Sequence, residues 1–156
     1  MSSLRTSIEQ RATQGSDPIT YVHVQLEGFI DAANYPLFEK TLEKLLDSGR
    51  FHIVLDFKGV EYINSTGISG IIRFHQQCAS GGGVLVLSSV ARNVGITMHL
   101  LGVTSVVSVA KDVGEAEKAL KGIALDAETG TEERKVPVMA EKSGPSGTVA
   151  LLLPRQ

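Results

Sequence analysis

The chain of 156 residues contains no tryptophan, a single cysteine and only 5% aromatic residues. One thiol, Cys78, cannot close an internal disulfide, so the fold must rest on a packed core and not on covalent staples. Net charge is nearly absent too: 15 basic and 17 acidic side chains leave a formal −2, without the basic footprint that a nucleic-acid backbone demands. Nucleic acid is not expected as a partner. Long apolar runs are missing; stretches such as Val84-Leu85-Val86-Leu87 are strand-sized, far short of the roughly 20 residues of a membrane-spanning helix. The opening MSSLRTSIEQ lacks the basic and apolar blocks of a secretory signal. A cytoplasmic protein with no direct membrane insertion is expected.

What is present suits a folded domain. Apolar residues at 42% and charged residues at 21% lie away from the composition of disordered chains. A chain of this size buries roughly two-thirds of its unfolded surface. Residues 4–12 alternate, with Leu4, Thr6, Ile8, Gln10 and Ala12 on one side, and Gln14-Gly15-Ser16-Asp17-Pro18 reads as the turn of an opening hairpin. In its second arm Val22, Val24 and Leu26 share one face, taken as the core face, and Tyr21, His23 and Gln25 the other. Asn34 as cap, Pro36 in a first turn and Phe38, Leu42, Leu45 and Leu46 at helical spacing predict a helix over 34–48.

Ile53-Val54-Leu55 runs without a polar break, as in a strand covered on both faces. The polar Asn64-Ser65-Thr66-Gly67 then opens a second helix carrying Ile68, Ile71, Ile72, Phe74 and Cys78, which Gly81-Gly82-Gly83 ends. A buried strand over 84–87 follows, and a third helix over 90–101 packs Val94, Met98 and Leu101 and is capped by Gly102. Val106, Val107 and Val109 supply a last strand, and Val113, Ala116, Ala119 and Leu120 a last helix. This alternation predicts an α/β fold: a mixed sheet of about five strands with about four helices mainly on one face. The folded domain is expected over 1–123 and a flexible tail over 124–156, which holds no aromatic residue and has prolines at 137, 145 and 154. The apolar segment 149–153 leaves docking in a groove or on a sheet edge as the alternative.

Most of the candidate chemistry dissolves on inspection. His75 and Cys78 stand three apart on one helix face, but a structural zinc site generally takes four ligands and no partner lies nearby in sequence. They read as a half-buried packing pair, and His23, His52 and His99 as structural or surface residues. Gly67-Ile68-Ser69-Gly70 lacks the Gly-x-Ser-x-Gly spacing of a hydrolase elbow, and Gly81-Gly82-Gly83 lacks the Lys-Ser/Thr ending of a phosphate-binding loop. No cofactor, metal or catalytic residue is expected. What survives is the loop 61–67. Asn64 or Ser65 can cap the helix behind it, and the same geometry sets a hydroxyl at the positive end of a helix dipole, where an added phosphate is tolerated.

At this loop the sequence resembles the STAS domain family, and within it the anti-sigma factor antagonists, over residues 4–120. The resemblance is carried by Leu26-Glu27-Gly28-Phe29-Ile30-Asp31-Ala32-Ala33, by the strand and loop from Val54-Leu55-Asp56-Phe57 to Asn64-Ser65-Thr66-Gly67-Ile68, by the triple-glycine turn and by Leu100-Leu101-Gly102-Val103. It implies a STAS-like sandwich and a non-enzymatic switch that binds an anti-sigma factor with serine kinase activity, releases a sigma factor for transcription, and is reset by a phosphatase. By position the phosphorylated serine is Ser65, and Asp31, Asn64, Ser65, Thr66 and Gly67 form the partner-binding set. Asn64 stands where the family has Asp. Two alternatives remain: a STAS adaptor of a lipid-transport or stressosome-type complex, and a small serine hydrolase using Ser65 or Ser69.

Overall fold

The computed structural model describes residues 3–129. Packing groups the described residues up to Lys121 into one compact unit. Strands β1 (Leu4–Ala12) and β2 (Thr20–Ile30) form the expected antiparallel hairpin, closed where the Thr13 N–H donates to the Ile19 carbonyl at 3.0 Å. Then follow α1 (Tyr35–Asp47), β3 (His52–Ile63), α2 (Ser65–Ser80), β4 (Val84–Ser88), α3 (Arg92–Leu100), a single 3₁₀ turn (Val103–Ser105), β5 (Ser108–Ala110) and α4 (Val113–Thr129). The five strands lie in chain order, with β2 through β5 parallel. Parallel crossovers are right-handed as a rule, and with an order that never reverses this sets α1, α2 and α3 on the same face, where they share one core.

Their apolar stripes meet that face in one core. Phe38 and Leu42 of α1, Ile68, Ile71 and Phe74 of α2, and Val94 and Met98 of α3 pack with Val22, Val24 and Leu26 of β2, Ile53 and Leu55 of β3, and Leu85 and Leu87 of β4. Fully burying a side chain of this size contributes about 1.5–3 kcal/mol, so this cluster is the main source of stability.

The opposite face of β2 corrects the expectation of a one-sided strand. Tyr21 and His23 are buried as completely as their neighbours. The Tyr21 hydroxyl donates to Glu117 of α4, the Lys121 ammonium donates to the Gln14 carbonyl, and Ala116 and Leu120 are fully buried, so α4 covers this part of the second face. His23 Nε2 lies 2.9 Å from Asp56 Oδ2, on the next strand. Two further corrections concern the chain after α3. Leu101 is half exposed, because the helix ends at Leu100 and Val103 takes the core position instead. Val106 is exposed and Val107 precedes the last strand, since the N–H groups of both are held by the Val103 carbonyl in the 3₁₀ turn. α4 runs beyond Leu120 to Thr129; the remainder of the expected tail, 130–156, lies outside the described residues.

Candidate functional site

The loop after β3 is fixed by its strand. Ile30 and Ile63 are register partners at the ends of β2 and β3, and the Asn64 N–H donates to the Ile30 carbonyl at 3.0 Å. The chain then turns into α2, whose first N–H groups have no intrahelical acceptor. Asn64 supplies one: in extended backbone geometry, its side-chain Oδ1 accepts from the Gly67 N–H at 2.8 Å. Of the two candidate caps, Asn64 is therefore the one used, and the Ser65 hydroxyl is left on the surface at the first helical position. An aspartate would accept the same bond, so asparagine keeps the geometry and removes only the charge.

Gly67 is buried, and a Cβ there would stand 2.8 Å from side-chain carbons of both Ile30 and Ile63. Hydrogen in place of a side chain is what lets the first turn of α2 sit directly on the strand ends. Ser65 and Thr66 are exposed beside it, and the first turn carries no acidic residue. No acidic side chain of that turn offsets the positive end of the helix dipole.

The loop after β2 reaches the same rim, because β2 and β3 are parallel neighbours ending at Ile30 and Ile63. Within it Asp31 Oδ1 accepts from the Asn34 N–H at 3.0 Å, and the Asp31 carbonyl accepts from the Tyr35 N–H at 2.8 Å. Asn34 is the helix cap by position only: its side-chain amide turns back and donates to the Phe29 carbonyl at 3.1 Å. The structure therefore brings the Asp31 loop and the loop 64–67 to one end of the sheet through the Ile30–Asn64 bond. Of the expected set, Asp31 and Asn64 are half-buried and engaged in local bonds, Ser65 and Thr66 present their side chains outward, and Gly67 is a packing position.

Sequence reasoning missed three apolar members of this end. Tyr62 is 48% exposed and its ring lies 6.3 Å from that of Phe29, while Leu37, in the first turn of α1, is 43% exposed. The even–odd alternation at the end of β3 breaks near the register shifts opposite Glu27 and Phe29, so face assignment from sequence fails there. Arg73 braces the two helices behind the rim, donating to the Tyr35 hydroxyl at 3.1 Å and to Glu39 at 2.8 Å.

Elsewhere, burial pushes the Cys78 thiol up to about 12 and lowers His75. Among the described residues no group of three or more metal-binding side chains forms, and no helix is long and apolar enough to cross a membrane. A groove of about 570 Å³ lies on the other side of the sheet between Arg5, Gln25, Glu27, Asp56 and Lys58. None of Asp31, Asn64, Ser65, Thr66 or Gly67 lines it. The expected site is a surface and not a cavity.

Comparison with known proteins agrees with this fold. The STAS domain family profile matches residues 10–116. A candidate anti-sigma factor antagonist of Bordetella bronchiseptica, BtrV, is 29% identical over 96 residues, which is 62% of this chain and 83% of that protein. A candidate anti-sigma factor antagonist of Thermotoga maritima superposes with a TM-score of 0.58 at 24% identity, over 64% of this chain and 87% of that one. The Bacillus cell fate determinant SpoIIAA in its phosphorylated form superposes with a TM-score of 0.52 at 11% identity, over 72% of this chain and 99% of that one.

Proposed function

The chain belongs to the STAS domain family, and from that premise we propose that it is a phosphorylation-switched binding module of the anti-sigma factor antagonist type. Its unmodified form binds an anti-sigma factor that is also a serine kinase, and so frees a sigma factor for transcription; phosphorylation of Ser65 ends the complex, and a phosphatase restores it. The module is non-enzymatic and acts in the cytoplasm. The observation that carries this reading is the position of Ser65: exposed, at the first position of a capped helix, with no acidic neighbour in that turn. That BtrV is a candidate antagonist and that SpoIIAA is known in a phosphorylated form supports the same reading.

The physical logic has two halves. A phosphate brings roughly −1.5 to −2 charges to a helix N-terminus, which stabilises negative charge by about 0.3–1 kcal/mol, so the fold tolerates it. At an interface built for a neutral hydroxyl beside Thr66, Tyr62 and Leu37, the same group must shed its water. An unpaired buried charge costs several kcal/mol, and at about 1.4 kcal/mol per tenfold the affinity falls by two orders of magnitude or more.

The test is capture of a kinase partner from the source cell, incubation with ATP, peptide mapping, and calorimetry of the modified chain. Phosphate on Ser65, its absence in Ser65→Ala, and loss of binding in Ser65→Glu with an unchanged melting curve are the expected results. Phosphate on Thr66, Ser69 or Ser80 instead, or unchanged affinity after Ser65 is modified, refutes the assignment.

A further inference from the structure

β1 is the outermost strand of the sheet and is paired on one side only. Its register with β2 runs from Leu4 opposite Gly28 to Ala12 opposite Thr20. Just beyond the two ends of that register, the Phe29 N–H donates to the Ser3 carbonyl at 2.8 Å and the Thr13 N–H to the Ile19 carbonyl at 3.0 Å. In an antiparallel ladder the residues that exchange such bonds alternate. The main-chain groups of Arg5, Ser7, Glu9 and Arg11 therefore point to β2, and those of Leu4, Thr6, Ile8, Gln10 and Ala12 point away from the sheet. Among the described residues no strand meets them.

Free edges are ordinarily blunted by brevity, proline, a bulge or charged side chains, lysine above all; the charges of β1, Arg5, Glu9 and Arg11, are of both signs and can pair with one another. β5, the other edge, is three residues long. β1 is nine residues, contains no proline, glycine or lysine, and keeps an unbroken register. At its middle Ile8 is 51% exposed although it lies on the core side of the sheet, with Thr6 and Gln10.

We propose that this edge pairs with the same edge of a second copy, antiparallel about a two-fold axis at Ser7, joining the two sheets into one. Charge selects the register. Centring on Ser7 sets Arg5 opposite Glu9 of the partner subunit and Glu9 opposite the partner's Arg5, in the closer, non-hydrogen-bonded kind of pair. Centring on Ile8 would face Arg5 with the partner's Arg11, and centring on Glu9 would face that carboxylate with its own copy. The Ser7 register also places Thr6 beside Ile8 of the partner subunit and Leu4 beside the partner's Gln10, so that outward N–H and C=O groups meet outward groups along the strand. The present contacts of Arg5 with Glu27 and of Glu9 with Arg11 are exposed ion pairs, which exchange partners at little cost. Such an interface is isologous and closed, one patch meeting itself. The inference stands on the sheet edge and is independent of the role assigned to Ser65.

Sedimentation equilibrium of the full chain tests it, together with Ser7→Cys under mild oxidation. The native Cys78 is buried and does not compete. A reversible dimer and rapid formation of a covalent dimer through position 7 are expected. Thr6→Pro removes an N–H that the sheet does not use, so its circular dichroism should match the parent while dimerisation weakens by at least roughly tenfold. Should Thr6→Pro fold poorly, charge reversal decides: Arg5→Glu weakens the dimer and Arg5→Glu with Glu9→Arg restores it. A monomer at every concentration, failure of the position 7 cross-link, or a dimer indifferent to both the proline and the charge reversal overturns the proposal.

Discussion

Replacing Asn64 by alanine deletes one bond, the 2.8 Å contact from its side-chain oxygen to the Gly67 N–H, and leaves an orphan donor in the first turn of α2. Loss of an N-cap side chain costs about 1 kcal/mol, within a range of roughly 0.5–2. For a chain of this size that lowers the melting temperature by about 2–4 °C. Asn64→Asp keeps the acceptor and adds a negative charge at the positive end of the helix, a gain of about 0.3–1 kcal/mol at low salt. The gain has a pH signature. The helix terminus would hold the folded carboxyl below its unfolded value near 3.9, so the added stability is present above roughly pH 4 and disappears as pH falls through the folded value. Thermal unfolding of the parent and both variants at pH 7 and pH 3 measures these differences. An Asn64→Ala variant that melts with the parent would show that the cap contributes nothing, and an Asn64→Asp gain equal at both pH values would show that the dipole argument is wrong.

Two further outcomes follow from the second face of the sheet. His23→Leu removes the partner of Asp56 Oδ2, leaving the buried carboxylate only the Lys58 N–H at Oδ1, and should cost about 3 kcal/mol in urea unfolding, part of it recovered in His23→Leu with Asp56→Leu; equal losses in the two variants would contradict a paired role. Tyr21 is pushed up to about 12, first by burial and then by its bond to Glu117. A raised folded value means that the unfolded tyrosine ionises first, so stability is complete below about pH 10 and declines as pH rises toward 12. Stability curves for the parent and Tyr21→Phe should therefore converge in slope at neutral pH and diverge in this alkaline window; parallel curves throughout would refute the shift.

The sequence pattern is most informative where one physical rule acts alone. Ile53-Val54-Leu55 has no polar break because β3 is covered on both faces, and the glycine run that ends α2 needs no tertiary information to be read. The pattern is silent where distant residues decide. Alternation in β2 separates two faces correctly, but only Asp56 and Glu117, brought from 33 and 96 residues away, make it possible to bury His23 and Tyr21. Asn34 shows a competition that composition cannot settle: it sits at a cap position, yet its side chain is turned to donate to the Phe29 carbonyl and accepts no helix N–H. At the candidate site, the hydroxyl and the cap were visible in the string Asn64-Ser65-Thr66. The flanking Tyr62 and Leu37 were not, because their exposure depends on the local irregularity of β3 and on the angle at which α1 enters the core.

Gly67 has a consequence beyond fit. With its α-carbon already against Ile30 and Ile63, the opening turn of α2 has no slack beneath it and nowhere inward to retreat. A group added on the outer side of this turn cannot be absorbed by sinking or tilting the helix, so its bulk and charge stay at the height where they are attached. Information written at this position would therefore be carried as a mark on the surface and not as a movement, and anything that responds to it would have to touch it.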